Sequence, residues 1–213
     1  FVIFLRRLKY KEKGDGVTVL MRYTLRLLTF QQFERASSLI CACEIIRKEE
    51  NMPGGEISIG LWAGKGLTPN SIEVAQKILM GEPVDDSESG NPVQLEKCPW
   101  CGTILTADNY HCDIGKVRMN IECSNENCEF KHGLPVYLID EEIYEYTPTF
   151  IIGTIDKFAQ IALNYDAFGL FGRGKSTKIP PELIIQDELH LISGPLGTIT
   201  GIYEAAIKKL CEF

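Results

Sequence analysis

The chain has 213 residues, which is enough for one sizeable hydrophobic core and a small additional module. Its formal net charge is −7, so the overall composition does not indicate nucleic-acid binding, although a local basic groove remains compatible with it. No apolar run reaches the roughly 18 residues of a membrane-spanning helix, and no signal peptide is visible. A membrane protein is therefore not expected. The chain does not begin with Met, which indicates a piece of a longer protein.

Strands and helices are predicted to alternate in the first part of the chain. Residues 1–13 are typical of the end of a helix, and the apolar run Val17–Met21 predicts the first strand. A helix is predicted over Phe30–Glu50, with Thr29 as its N-cap and with one apolar face formed by Phe33, Ala36, Ile40, Cys43 and Ile46. Alternating apolar residues over Glu56–Trp62 predict a second strand with Ile57, Ile59 and Leu61 on one side.

The middle of the chain changes character. A helix is predicted from Thr68, acting as a cap, to Met80. Residues 81–94 are acidic and rich in turn-forming residues, which is typical of a flexible linker. Cysteines are concentrated in the next segment, 95–135.

The last part returns to strands and helices. Val136–Tyr146 is predicted as a strand, Thr149–Thr154 as a buried strand, and Asp156–Leu163 as a helix. The short apolar run Leu183–Ile185 predicts a buried strand of a parallel sheet. A final helix is expected after a chain break at Gly194–Gly197.

This alternation predicts an α/β fold with a parallel sheet flanked by helices. The expected domain organisation has four parts: 1–80 is the N-terminal part of the sheet domain, 81–94 a linker, 95–135 an inserted zinc-ribbon-like module, and 136–213 the C-terminal part of the sheet domain.

The inserted module has metal-ligand spacing. C-x2-C and C-x4-C are separated by about twenty residues. Four thiolates in this pattern suit a closed, tetrahedral and structural Zn²⁺ site, and Cys112 and His132 are substitutes that it does not need. The absence of a signal peptide and the metal spacing favour a reducing, cytoplasmic setting over a disulfide framework. The predicted zinc ligands are Cys98, Cys101, Cys123 and Cys128.

Two carboxylates and a histidine follow the predicted strand Leu183–Ile185, namely Asp187, Glu188 and His190. Ligands of open α/β sheets bind beyond the carboxyl ends of the strands, and adjacent acids there are costly unless they meet a cation. In nucleotide-hydrolysing folds that cation is Mg²⁺ on the phosphates. The sequence therefore predicts a magnesium–nucleotide site at Asp187.

Polar groups also follow two other predicted strands. Hydroxyl, basic and backbone N–H groups at these strand ends suit the phosphates of a nucleic-acid backbone. For each of them alone, an ordinary helix cap or a surface charge is the simpler interpretation. The candidate nucleic-acid-binding residues are Arg22, Thr24, Arg26, Gly153, Thr154 and Lys157.

Residues 169–176 match the letters G-x4-G-K-S of a phosphate loop. A phosphate loop opens a helix whose N-terminus meets the phosphates. Here Pro180 and Pro181 follow too closely for such a helix, so a basic loop is the better interpretation.

Together these residues resemble the first RecA-like domain of a superfamily-two helicase of the DExH type. Val17–Gln32 is similar to its motif Ia, Gly153–Asp156 to a later strand-end motif that contacts nucleic acid, and Asp187–His190 to its motif II. The runs Met-Arg-Tyr-Thr-Leu-Arg-Leu-Leu-Thr, Thr-Ile-Asp-Lys-Phe and Leu-Ile-Ile-Gln-Asp-Glu-Leu-His-Leu-Ile-Ser-Gly-Pro-Leu-Gly resemble the helicase of DISARM-type bacterial anti-phage systems, and this resemblance covers most of the chain.

The resemblance implies ATP-dependent translocation on DNA, with RNA not excluded, and protein partners in a defence complex. It implies that Asp187 binds the Mg²⁺ of Mg-ATP, that Glu188 orients water, and that His190 links nucleotide state to nucleic-acid contacts. The family's phosphate loop would lie before Val17 and its second RecA-like domain after Phe213. The chain alone is therefore not expected to bind ATP tightly or to unwind DNA.

Two other functions are compatible with the residues. One is a zinc-ribbon adaptor for nucleic acid or protein on a catalytically inactive α/β scaffold. The other is a metal-hydrolase site at Asp187, Glu188 and His190, which needs further ligands in a chain with three histidines.

Overall fold

The computed structural model describes residues 1–23, 26–64, 66–85, 90–159, 161, 164–174, 178–187 and 195–212. It describes the backbone alone at 26–28, 156, 159, 195–200, 202 and 203.

Helices and strands alternate along most of the described chain. The helices are α1 Val2–Tyr10, α2 Arg26–Glu49, α3 Ile72–Leu79, α4 Asp140–Tyr146, α5 Ile155–Ala159 and α6 Pro195–Cys211. The strands are β1 Val19–Tyr23, β2 Ile59–Trp62, β3 Tyr110–Asp113, β4 Arg118–Ile121, β5 Val136–Tyr137, β6 Phe150–Thr154 and β7 Leu183–Gln186. Short 3₁₀ helices lie at Lys11–Gly14, Ala107–Asn109, Ile114–Lys116 and Tyr165–Phe171.

Five of the strands form one parallel sheet in the order β5-β2-β6-β1-β7. The other two, β3 and β4, form an antiparallel hairpin between β2 and β5 in the sequence. The predicted fold class, a helix-flanked parallel α/β sheet with a cysteine-bearing insertion, is confirmed. No described helix is both long and apolar enough to cross a membrane.

Successive residues of each strand point to opposite sides of the sheet, and helices cover both sides. Leu61 faces a cluster with α2, α3 and the β3–β4 hairpin, whereas Trp62 faces a cluster with α4, α5 and α6. All four residues of β2 are buried as a result. The prediction that Ile57, Ile59 and Leu61 lie on one side of this strand is confirmed, since all three belong to the cluster with α2.

The cysteine segment packs directly on the sheet. One hydrophobic cluster contains Ile59 of β2, Ile40 of α2, and Cys98 and Met119 of the insertion. The division into 1–80, 81–94, 95–135 and 136–213 stays a prediction, and residues 86–89 of the predicted linker lie outside the described residues.

The predicted start of α2 was wrong. The helix begins at Arg26, so Thr29 lies within its first turn and does not precede it. On the face predicted for this helix, Phe33 and Ile40 are buried and Ala36 and Cys43 pack against the same cluster, whereas Ile46 is 43% exposed. Long-range packing against the sheet and the cysteine segment, which periodicity does not show, sets this orientation.

Two further boundaries were wrong. The helix predicted from Thr68 begins at Ile72, where the Ser71 hydroxyl accepts the N–H of Val74 at 3.4 Å. The strand predicted over Val136–Tyr146 is split, because β5 ends at Tyr137 and α4 begins at Asp140. The buried carboxylate of Glu142 in α4 accepts the N–H groups of Leu138 and Ile139, which precede the helix. These hydrogen bonds stabilise the early helix start.

The prediction of a buried strand at Leu183–Ile185 is correct for the strand but not for its burial. The strand β7 lies at the end of the sheet order, and Leu183 is 37% exposed. The predicted chain break at Gly194–Gly197 was also wrong, since α6 begins at Pro195 and Gly194 lies outside the described residues. Proline suits the first turn of a helix because its missing N–H has no partner there.

Candidate metal centre and the carboxyl edge of the sheet

The first cysteine pair lies on a tight hairpin. The N–H of Cys98 donates to the carbonyl of Thr103 at 2.8 Å, and the N–H of Gly102 donates to the carbonyl of Cys98 at 2.9 Å. Gly102 has a φ of +77°, which a residue with a side chain adopts at a cost. This turn directs the thiols of Cys98 and Cys101 toward the second pair.

The second pair lies on another turn. The N–H of Cys123 donates to the carbonyl of Phe130 at 3.3 Å, and the N–H of Cys128 donates to the carbonyl of Asn125 at 2.8 Å. The Asn125 side chain accepts the N–H of Asn127 at 3.0 Å, which is an Asx turn. Both pairs are therefore held on turns that hydrogen bonds close.

The four thiols form one cluster, with all their sulfur atoms within 4.8 Å of one another. The Sγ atoms of Cys98 and Cys128 are 3.9 Å apart, and those of Cys101 and Cys123 are 3.4 Å apart. A tetrahedral zinc–thiolate site with bonds of about 2.3 Å has sulfurs about 3.8 Å apart. The four cysteines can therefore hold a structural metal ion such as zinc. Neither Cys112 nor His132 belongs to this cluster.

The thiols differ in exposure and acidity. Cys98, Cys123 and Cys128 are buried, and burial raises the pKa of Cys98 and of Cys128. Burial also opposes ionisation of the exposed Cys101, but hydrogen bonds from Thr103 and neighbouring thiols outweigh it and lower its pKa to about 6. A bound cation would be needed to stabilise all four thiolates together.

The other candidate residues lie at the carboxyl edge of the parallel sheet. Asp187 directly follows β7, and its N–H donates to the carbonyl of Arg22 at 3.0 Å. Arg22 pairs in register with Gly153 of β6, and Tyr23 pairs with Thr154. The structure therefore brings Asp187, Arg22, Gly153 and Thr154 to one edge.

Some predicted residues cannot be placed there. Thr24, Glu188 and His190 lie outside the described residues, and Arg26 is described only as the first residue of α2. In the phosphate-loop-like stretch, Lys175 likewise lies outside them.

Arg22 is buried and ion-paired. Its side chain is 4% exposed, its Nη2 donates to Glu204 Oε1 at 2.5 Å, and its guanidinium lies 5.2 Å from the centre of the Phe158 ring. Sequence analysis did not find Glu204 or Phe158 as partners, because nothing in the sequence pattern places α5 and α6 beside β1.

Lys157 is also buried and ion-paired. Its ammonium donates to the carboxylate of Asp140 at the start of α4, and it lies 3.5 Å from Asn70 Oδ1. All three residues follow strands of the parallel sheet. The sequence signal for Asp140 was an acidic residue directly after the apolar pair Leu138-Ile139. It was missed because Val136–Tyr146 was predicted as one long strand.

The fold and the site define a helix-flanked parallel α/β protein with a four-cysteine centre and an aspartate at the carboxyl end of an edge strand. The chain is similar to DISARM protein DrmA of Bacillus paralicheniformis, with 38% identity over 237 residues that cover 93% of this chain. It spans about a fifth of that relative, 21% of its length. No protein-family model matches the chain.

Proposed function

We propose that the chain is part of an ATP-dependent nucleic-acid helicase or translocase that acts with protein partners in anti-phage defence. The observation that carries the proposal is the position of Asp187 at the carboxyl edge of the parallel sheet, hydrogen-bonded to β1. Similarity to a DISARM protein over 93% of the chain supports it. The edge of a parallel sheet is where nucleotides bind in such folds.

In this proposal Asp187 contributes to the Mg-ATP site. Asp187 would bind Mg²⁺, Glu188 would orient the attacking water, and His190 would link this site to nucleic-acid contacts. Mg-ATP supplies the free energy of phosphoryl transfer when it is bound. The chain's own contribution is an aspartate whose backbone N–H donates to the carbonyl of Arg22 on the neighbouring strand.

The nucleic-acid path would follow the adjacent strand ends. Thr24, Arg26, Gly153 and Thr154 would contact the phosphates of DNA, or of RNA. The Thr154 hydroxyl supports this assignment, because it is buried and has no hydrogen-bond partner among the described residues. A buried polar group without a partner is costly, and a ligand at this edge would satisfy it.

We further propose that the four cysteines hold one structural zinc ion. The sulfur distances and the burial of three thiols support a closed site without a coordination position for substrate. Metal analysis of the purified chain should give about one zinc per molecule. Purified folded protein with no bound metal would contradict this assignment.

The motor function is tested on the complete reading frame that contains this chain. ATP hydrolysis should be stimulated by single-stranded DNA, and Glu188→Gln should lower kcat by roughly a hundredfold or more without abolishing nucleotide binding. Unchanged turnover in Glu188→Gln would refute the assigned role. The 213-residue chain alone should show no ATPase activity above background.

The same experiment distinguishes the second candidate function. The four-thiol cluster also fits a zinc-dependent adaptor on an inactive scaffold. An adaptor would show no nucleotide hydrolysis in the complete protein, but its assembly with partners would depend on zinc.

A further inference from the structure

Arg22 has a different environment from that expected of a phosphate-binding arginine. Its side chain is 4% exposed and lies between the Glu204 carboxylate, 2.5 Å away, and the Phe158 ring. A guanidinium that is buried against a carboxylate and an aromatic face is not accessible to a phosphate in solvent. Glu204 itself is 47% exposed, so its carboxylate separates Arg22 from solvent.

The backbone of Arg22 makes a second set of contacts. Its carbonyl accepts the N–H of Asp187 at 3.0 Å, and in the β-ladders it pairs with Gly153 on one side and Gln186 on the other. Arg22 therefore contacts Asp187 after β7, Gly153 of β6, and helix α6 through Glu204.

We propose that Arg22 is a positioning residue that couples Asp187 and the Gly153 strand end to helix α6, and that it is not a phosphate ligand. The proposal rests on the proposed function, because that function gives Asp187 and Gly153 their roles. The structure places the ion pair of Arg22 with Glu204 where α6 meets β1.

The burial of Arg22 is what makes coupling effective. If α6 shifts relative to β1, the guanidinium must follow Glu204 or lose its partner, and an unpaired buried charge is strongly unfavourable. Because the Arg22 carbonyl also holds the Asp187 N–H, movement of Arg22 is transmitted directly to the end of β7. Salt screens such a partly buried pair less than it screens a surface pair.

The first test needs neither nucleotide nor nucleic acid. Amide hydrogen exchange at Asp187 is measured by NMR in the chain and in Arg22→Gln, Glu204→Gln and the double variant Arg22→Glu with Glu204→Arg. Both single variants should accelerate exchange by roughly tenfold or more, and the charge-swapped variant should reverse most of this.

Arg47→Gln is the matched control. Arg47 forms a comparable ion pair with the buried Glu44, at 2.7 Å, on the opposite side of the sheet. It should change exchange at Asp187 by less than about twofold. Unchanged exchange at Asp187 in Arg22→Gln, or equal acceleration throughout β2, would overturn the proposal, since the latter indicates general destabilisation.

The second test separates positioning from direct phosphate contact. Binding of a fluorescent twelve-nucleotide oligo-dT to the chain is measured over a range of salt concentrations. A positioning role predicts that Arg22→Gln leaves the slope of log K against log salt unchanged and abolishes the shift of the Asp187 amide signal that the oligonucleotide induces. A slope reduced by about 0.7 would identify Arg22 as a phosphate contact and overturn the proposal.

The two tests can fail separately. If the unmodified chain does not bind the oligonucleotide, the proposed nucleic-acid path is wrong for this chain. Exchange at Asp187 then still decides whether Arg22 couples β7 to α6.

Discussion

Glu142 joins the cysteine segment to the sheet, and its replacement gives a sharp test of how the two are connected. The residue is fully buried in α4. Its Oε1 accepts the N–H groups of Leu138 and Ile139, at 2.6 and 3.1 Å. Its Oε2 accepts the N–H of Met119 and the guanidinium of Arg118, both at 2.9 Å. One carboxylate thus binds the end of β5 and the strand β4.

Glu142→Gln keeps the shape of the side chain but replaces one acceptor oxygen with an NH₂ group. If the remaining oxygen stays with Leu138 and Ile139, the NH₂ group faces the N–H donors of Met119 and Arg118. An unsatisfied buried donor costs about 1–3 kcal/mol, and loss of one partner of a buried ion pair costs about 3–5 kcal/mol. We expect the free energy of unfolding to fall by about 3–5 kcal/mol, or roughly 6–20 °C in Tm for a chain of this length.

The two tryptophans of the chain allow the assay to follow each part separately. Trp62 is buried in the sheet, and Trp100 lies in the first cysteine turn with 42% exposure. Urea denaturation of single-tryptophan variants should show a lower midpoint for both probes in Glu142→Gln. The Trp100 transition should occur at a lower urea concentration than the Trp62 transition. Glu145→Gln, at an exposed position of the same helix, should change stability by less than about 0.5 kcal/mol. Equal effects of the two substitutions would refute the reasoning.

Three further predictions concern single side chains. Cys98→Ser should abolish stoichiometric zinc binding while Cys112→Ser retains it, as measured by metal analysis; equal zinc loss in both would contradict the four-thiol assignment. Arg6→Met should lower the free energy of unfolding by about 2–4 kcal/mol in urea denaturation, because the buried guanidinium donates to four carbonyls, including that of Pro180; a cost below about 1 kcal/mol would contradict this. Tyr110→Phe should cost about 1–3 kcal/mol, because the hydroxyl bonds both the N–H and the carbonyl of residue 95; unchanged thermal unfolding would count against it.

Sequence reasoning succeeded where the local pattern determines the structure. The apolar runs that became β1, β6 and β7 were found because buried parallel strands consist of short, continuous β-branched and apolar segments. The four-cysteine cluster was found because C-x2-C and C-x4-C turns leave few other arrangements for four thiols.

Prediction from the sequence failed where contacts between residues distant in the sequence determine the structure. The strand β4, Arg-Met-Asn-Ile, has little β-branched character, and its pairing with β3 is supported by Glu142 from outside the hairpin. The ion pair of Arg22 with Glu204 joins residues 182 positions apart, which no periodicity indicates. Two helix starts also differ from the predicted ones, since α2 begins at Arg26 and Ser71 caps α3 in place of Thr68.

The shared core has a consequence for the role of the metal. Cys98 and Cys128 belong to the same buried cluster as Ile59 of the sheet and Ile40 of α2. An ion that binds only the folded form stabilises every part that unfolds together with its ligands. Zinc binding is therefore expected to stabilise the sheet face beneath α2 as well as the cysteine turns.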